Sequence, residues 1–288
     1  MTIPARFLAV VLWGSAVTLP VGATAGETPA SSTETPKTVI TGGRMNILEK
    51  GDAVEFSQGV QMTRGRDYMT ADRVVYEEKQ GRVRAWRGDD ESKRVYLRRD
   101  VQEENLRWEA WADEAVYDTA IGSGTLIGRT QLVKVRRTFL KPAPGAGVFE
   151  MESQTLMFLQ KSTVAAASAP LPVAVSTAIG PGSVRASGSV FVKFLDTVPE
   201  PRDTRVWAKD AAYDDLRGAI RFTGTYDEFP MKDPPPKKRK DVGARARQVT
   251  ATAKRDLSGK SITYHIRDQR LIVEKNVKAK TESMGKKK

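Results

Sequence analysis

The sequence predicts an all-β protein of antiparallel strand repeats, arranged in two repeat-bearing halves. Three observations predict it. Short runs rich in Val, Tyr, Phe and Thr alternate apolar with polar residues and are broken by Gly, Asp and Asn, with no helical periodicity. One such run recurs at a fixed offset of 41 residues. Each recurrence ends in a tyrosine, and five positions further on stands a residue suited to a tight turn.

The repeat defines the first elements. Val54 to Tyr76 realigns without a gap on Val95 to Tyr117: Val54 matches Val95, Phe56 faces Leu97, Val60-Gln61 matches Val101-Gln102, and Ala71-Asp72 matches Ala112-Asp113. A looser copy runs from Val190-Phe191-Val192 to Ala208 through Tyr213, and a fourth survives as Ser261-Ile262-Thr263-Tyr264. Tyr76, Tyr117 and Tyr213 are followed by Gly81, Gly122 and Gly218, and Tyr264 by Gln269. A glycine there supplies the positive φ that hairpin turns require, so each tyrosine closes a strand that turns back.

Alternation assigns the faces. Val54, Phe56, Val60 and Met62 share one side and Glu55, Ser57, Gln61 and Thr63 the other; Val184, Ala186, Val190, Val192 and Phe194 repeat the pattern. A one-sided apolar face in every strand requires the sheet to fold over on itself, as a sandwich, a jelly roll or a trough-like β-solenoid. Two positions break the pattern. Ala71 and Val74 are out of phase, which predicts a bulge within Ala71 to Tyr76, and Gly124 stands where a large residue is expected.

Composition bounds the partners and the compartment. The 288 residues carry a net charge of +12, which favours an anionic partner: nucleic acid, a membrane surface or an acidic lipid head group. Arg6, the apolar run Phe7 to Val21 and the small-residue site Ala23-Thr24-Ala25 predict a signal peptide over 1–25, hence export. The apolar run is shorter than the roughly 20 residues of a membrane span. With no cysteine, an exported chain must cohere by burial and strand pairing alone. The expected organisation continues with a flexible linker at 26–37, a first half at 38–140 and a low-complexity connection at 141–183. A second half follows at 184–280, with a Pro-rich basic loop at 231–244, and a basic tail at 281–288.

The lead strand Ile40-Thr41-Gly42-Gly43-Arg44-Met45, then Val54-Glu55-Phe56 with Gly59-Val60, then Met69-Thr70-Ala71-Asp72-Arg73-Val74 resemble the OstA-like repeats of the lipopolysaccharide transport protein A family. The resemblance runs over roughly residues 38–280 and is strongest through Tyr76; it departs at Lys209, where the repeat has Asp, and at the two long loops. It implies an open, V-shaped jelly roll with an apolar groove for lipid A acyl chains. It also implies a periplasmic location and strand edges that pair with inner- and outer-membrane transport components or with a further copy, as a homo-oligomer. The expected lining is Phe56, Val60, Met62, Val83, Leu97, Leu126, Val190, Val192, Ile220, Phe222, Leu271 and Val273, each equally compatible with a closed core. Arg64, Arg66, Arg73, Arg82 and Arg84 are candidates to meet lipid A phosphates, against solvated surface charge.

Other chemistries are disfavoured. His265 is the only histidine and has no Cys beside it, so no zinc site is expected, and no cofactor. No nucleophilic triad or phosphate-cradling loop stands out, and Asp72 and Asp113 recur with the repeat as structural positions do; an enzyme is not expected. The rival readings are a membrane-anchored assembly subunit with an uncleaved N-terminus and a basic nucleic-acid-binding protein. Pro235-Pro236-Lys237-Lys238-Arg239-Lys240 would suit the latter, but the signal peptide argues against it, so no nucleic acid is expected.

Overall fold

The computed structural model describes residues 38–48, 52–64, 66–77, 79–89, 93–102, 105–118, 123–141, 147–159, 184–196, 201–214, 217–226, 243–266 and 269–284. The expected signal peptide, the linker at 26–37, Gly122, residues 160–183 and most of the basic loop lie outside them. Within them the regular elements are all strands, joined as one 20-stranded antiparallel sheet.

The sheet is a ladder of twelve passes, each crossing one crease. The first pass is β1 (Thr38–Thr41) and β2 (Arg44–Leu48); β3 (Ala53–Arg64) and β4 (Asp67–Glu77) each cross alone. Then come β5 (Arg82–Trp86) with β6 (Val95–Val101), β7 (Leu106–Ala112) with β8 (Glu114–Asp118), and β9 (Ser123–Ile127) with β10 (Val133–Phe139). The ladder continues with β11 (Val148–Ser153) and β12 (Thr155–Leu159), and again two strands cross alone, β13 (Val184–Asp196) and β14 (Arg202–Asp214). It ends with β15 (Ala219–Thr223) and β16 (Ala244–Val249), β17 (Ala253–Gly259) and β18 (Ser261–His265), and β19 (Arg270–Glu274) and β20 (Lys278–Ser283).

One side of the crease, the β6 leaf, joins β4 to β6, then β7, β10, β11 and β13; the other, the β5 leaf, joins β4 to β5, then β8, β9, β12 and β13. Beyond β14 they separate again into β16, β17 and β20 on the β6 leaf and β15, β18 and β19 on the β5 leaf. Strand β13 pairs with both β11 and β12, so hydrogen bonding runs unbroken between the two expected halves.

The crease is made by local chemistry that recurs. In β3 the register shifts between Ser57 and Val60, with Gln58 at φ 66° and Gly59 at 77°; in β13 it shifts between Ser187 and Val190, with Gly188 at 75° and Ser189 at 53°. The bulge expected in Ala71 to Tyr76 therefore lies in the partner strand. Its extra residue keeps Val54, Phe56, Val60 and Met62 in phase while β4 changes phase across Asp72. Backbone bonds carry the ladder through the crease, Arg87 N–H to Asp113 O at 3.0 Å, Asp113 N–H to Ile127 O at 2.9 Å, and Gly128 N–H to Gln154 O at 2.8 Å.

The turn reading holds where it is described. Gly81, Gly218 and Gln269 have φ of 59°, 56° and 53°. Gly124 also has a reason: a Cβ there would lie 2.1 Å from the Phe158 ring, which fills the space that a larger residue would take. One boundary changes. The segment assigned to a connection at 141–183 contains β11 and β12, because Phe149, Met151, Leu156 and Phe158 alternate inward and complete a pass.

Candidate functional site

Three inward rows cross the whole ladder through directly paired residues. On the β6 leaf, Ile40, Met62, Met69, Leu97, Ala110, Val135, Met151, Val192, Val206, Ala246, Leu257 and Ala279 form one. On the β5 leaf, Met45, Phe56, Val74, Ala85, Ala115, Leu126, Leu156, Ala186, Ala211, Phe222, Ile262 and Val273 form the second. The third, nearer the open side, is Ile47, Val54, Tyr76, Val83, Tyr117, Gly124, Phe158, Val184, Tyr213, Ile220, Tyr264 and Leu271. No charged residue interrupts any of them. The four tyrosines that end the sequence repeats share this last row.

All twelve expected lining residues are here. Phe56, Leu126, Phe222 and Val273 lie in the second row, Val83, Ile220 and Leu271 in the third, and Met62, Leu97 and Val192 in the first; Val60 and Val190 stand beside the crease at the two bulges. Ten of them are buried, and Leu271 and Val273 are partly buried against the same cluster. The inward faces therefore meet leaf on leaf, and the expected groove is filled by the chain's own side chains.

Opposite the crease the β6 leaf carries a mixed rim. Paired residues there run Asp67, Arg99, Trp108, Arg137, Phe149, Phe194, Thr204, Gln248 and Arg255. Arg99 lies 3.5 Å from Asp67, and the Arg137 guanidinium sits 5.8 Å from the centre of the Trp108 ring. Two of the five arginines named as phosphate candidates behave differently: Arg73 pairs outside the sheet with Glu55 at 2.6 Å and covers Trp86, and Arg84 approaches Glu77 at 4.0 Å. Arg64, by contrast, is the strand partner of Asp67 at the start of the rim row. The sequence reading missed Arg99 and Arg137, although alternation holds the signal: Arg99 follows Val95 and Leu97 in phase, and Arg137 follows Val133 and Val135.

In the C-terminal part the rim is clasped across the leaves. Phe194 stacks on Tyr264 with ring centres 4.0 Å apart, the Tyr264 hydroxyl donates to Asp196 at 3.1 Å, and the Arg202 guanidinium donates to the Gln269 carbonyl at 3.2 Å. Burial pushes the Asp196 carboxyl above its ordinary value, more than Tyr264, Arg202 and Arg137 lower it. Because the folded-state value is raised, this group's stabilising contribution is complete below the ordinary carboxylate range and is lost as pH rises through the raised value. Asp196→Asn is accordingly expected to hold or raise the midpoint of urea unfolding at pH 7. Tyr264→Phe, which leaves the carboxylate without its donor, is expected to lose about 1–3 kcal/mol.

The crease is pinned by Asp113. One carboxylate oxygen accepts the backbone N–H groups of Arg129, Thr130 and Gln131 at 2.7, 2.7 and 3.2 Å, and the other lies 3.4 Å from Arg94 Nε. Arg94 also donates to the Leu132 carbonyl at 2.9 Å. Burial raises the Asp113 carboxyl, but the three backbone donors and Arg94 outweigh it and hold it below its ordinary value. Asp113 is thus a structural anchor. Among the described residues no three His, Cys, Asp or Glu gather to hold a metal ion, and no helix is long and apolar enough to cross a membrane.

Comparison with known proteins adds one assignment. Residues 39–139 match the family described as LptA/(LptD N-terminal domain) LPS transport protein. No curated protein sequence matches the chain. Among solved structures, LptH, the LptA-homologous periplasmic component of the lipopolysaccharide transport device of Pseudomonas aeruginosa, aligns at 14% identity with a TM-score of 0.32. The alignment covers 47% of this chain and 90% of that one. The family match begins in β1 and ends with β10, so it takes in the first six passes, and the later passes extend the same three rows. The similarity to the LptA/LptD N-terminal family of lipopolysaccharide transport proteins is thus confined to residues 39–139.

Proposed function

We propose that the protein is a periplasmic carrier that passes lipopolysaccharide from the inner towards the outer membrane, with lipid A acyl chains held between the two leaves. The observation that carries this reading is the continuity of the three apolar rows from the first pass to the last. An acyl chain crossing water must stay covered. At about 0.8 kcal/mol per methylene, exposing one chain of roughly a dozen carbons costs on the order of 10 kcal/mol. Rows without a charged break remove that barrier along the whole path.

Because the lining is packed leaf on leaf, acyl chains enter by parting the leaves at the open side, and lipid contacts replace leaf-to-leaf contacts of similar polarity. The aromatic and arginine rim then meets sugars and phosphates, with Arg99 and Arg137 as the phosphate contacts. The end passes are the docking edges for inner- and outer-membrane transport components, or for a second copy, by β-augmentation. In support, the exposed large apolar residues of the described chain, Val39, Met45, Ile47, Val277 and Met284, lie on or beside the first and last passes.

A photoreactive residue placed at Phe56 or at Phe222 is expected to crosslink to lipopolysaccharide in living cells, and one at Glu55 or Gln61 is not. Labelling confined to the outer positions would overturn the reading. Depletion of the protein is expected to strand lipopolysaccharide at the inner membrane.

A further inference from the structure

The outer face of the β6 leaf carries the same aromatic motif twice, once covered and once open. In the row beside the crease, Tyr96 pairs directly with Trp111, and further along Phe191 pairs directly with Trp207. The geometries agree closely: ring centres are 5.4 Å apart at 40° in the first pair and 5.6 Å apart at 35° in the second. Their surroundings differ. Phe191 and Trp207 are 6% and 1% exposed because Tyr226, just after the end of β15, folds back over them and is itself buried.

Among the described residues Tyr96 and Trp111 have no such cover, and they are only half-buried. In front of them lies a cleft of about 880 Å³ whose lining includes Tyr68, Thr70, Asp72 and Lys93. Tyr68 extends the aromatic series, with its ring centre 6.2 Å from that of Tyr96. The Tyr96 hydroxyl is already engaged, donating to Glu109 at 2.7 Å, so its ring presents a face rather than a polar end. Gln58 and Arg94 also line the cleft, Arg94 lying against Asp113. Asp72 and Lys93 make no hydrogen bond or ion pair through their side chains among the described residues, so they offer it an uncommitted acceptor and an uncommitted cation.

We propose that this cleft is a docking slot for an aromatic side chain of a partner polypeptide, a tyrosine or phenylalanine followed by a carboxylate, which covers Tyr96 and Trp111 as Tyr226 covers Phe191 and Trp207. The ring packs on the aromatic pair, the carboxylate meets Lys93, and Asp72 accepts a backbone N–H or the phenol. The slot lies outside the folded sheet. A partner seated in it reaches neither the acyl-chain path nor the strand edges, and the assignment does not depend on the lipid-carrying function.

The test uses the full-length protein and a synthetic peptide with the sequence of residues 223–231, Thr-Gly-Thr-Tyr-Asp-Glu-Phe-Pro-Met, which contains the chain's own covering tyrosine. Titration followed by calorimetry and by the tryptophan indole resonances is expected to show saturable binding with the Trp111 resonance shifted. Affinity is expected to fall about tenfold or more on Lys93→Glu, on Trp111→Leu, and when alanine replaces the peptide's tyrosine. Lys93 is exposed, so its variant reports on the slot even if Trp111→Leu disturbs folding. No saturable shift up to about 1 mM peptide would overturn the proposal, as would binding that Lys93→Glu leaves unchanged. Binding of a neutral oligosaccharide such as maltopentaose at Trp111 in place of the peptide would reassign the slot to carbohydrate.

Discussion

Asp113→Ala is expected to lower the unfolding free energy by about 3–5 kcal/mol, the scale of an ion-pair partner removed from a buried site. The cost has two sources. Three backbone N–H groups at the crease lose their acceptor, and the Arg94 guanidinium loses its carboxylate. Asp72, the matching residue of the first repeat, makes no such bonds among the described residues, and Asp72→Ala is expected to change stability by no more than about 0.5 kcal/mol. Urea denaturation of the two variants side by side checks the pair, since equal losses would show that the crease is not held by Asp113.

The acid limb gives a second readout of the same anchor. The Asp113 carboxyl is depressed in the folded state, so its contribution is present above the ordinary carboxylate value and is lost as pH falls through the depressed one. Wild-type stability is expected to fall on acidification over that window, and Asp113→Ala to fall less. Asp196 has the opposite sign, so Asp196→Asn is expected to remove a gain in stability at low pH.

Phe222→Ala is the second large effect, expected at about 3–5 kcal/mol. The side chain is fully buried between Ala211 and Ile262 in the second row, and removing the ring leaves a cavity that neighbouring strands, tied on both sides, cannot close. Adding lipid A to wild type and variant separates an acyl-chain path from an ordinary core. If acyl chains enter between the leaves, saturating lipid A raises the unfolding midpoint of wild type and variant alike, because a ligand that binds only the folded state stabilises it by mass action. A core closed to lipid would leave both midpoints unmoved.

Much of this was legible along the chain. Strict alternation placed Phe56, Met62, Leu97, Val192 and Phe222 on the inward face, and the tyrosine spacing located the turns at Gly81, Gly218 and Gln269. The crease was less visible. Ser57-Gln58-Gly59-Val60 and Ser187-Gly188-Ser189-Val190 are the same bulge, yet only their register shifts reveal it, because a bulge is defined by the count on the partner strand. The phase slip at Ala71 and Val74 was read correctly as a signal and assigned to the wrong strand. Gly124 read as a defect because its compensation, Phe158, stands 34 residues away in sequence.

By itself the sequence determined the periodic part of the protein: an all-β ladder, its apolar face and the turns that repeat it. Strand period and turn chemistry depend only on neighbours along the chain. Tertiary structure alone decided what the faces meet. The joining of the leaves into one buried interior, the clasp between Asp196 and Tyr264, and the cover of Tyr226 over Trp207 all depend on residues brought together from distant passes. No local pattern encodes such contacts.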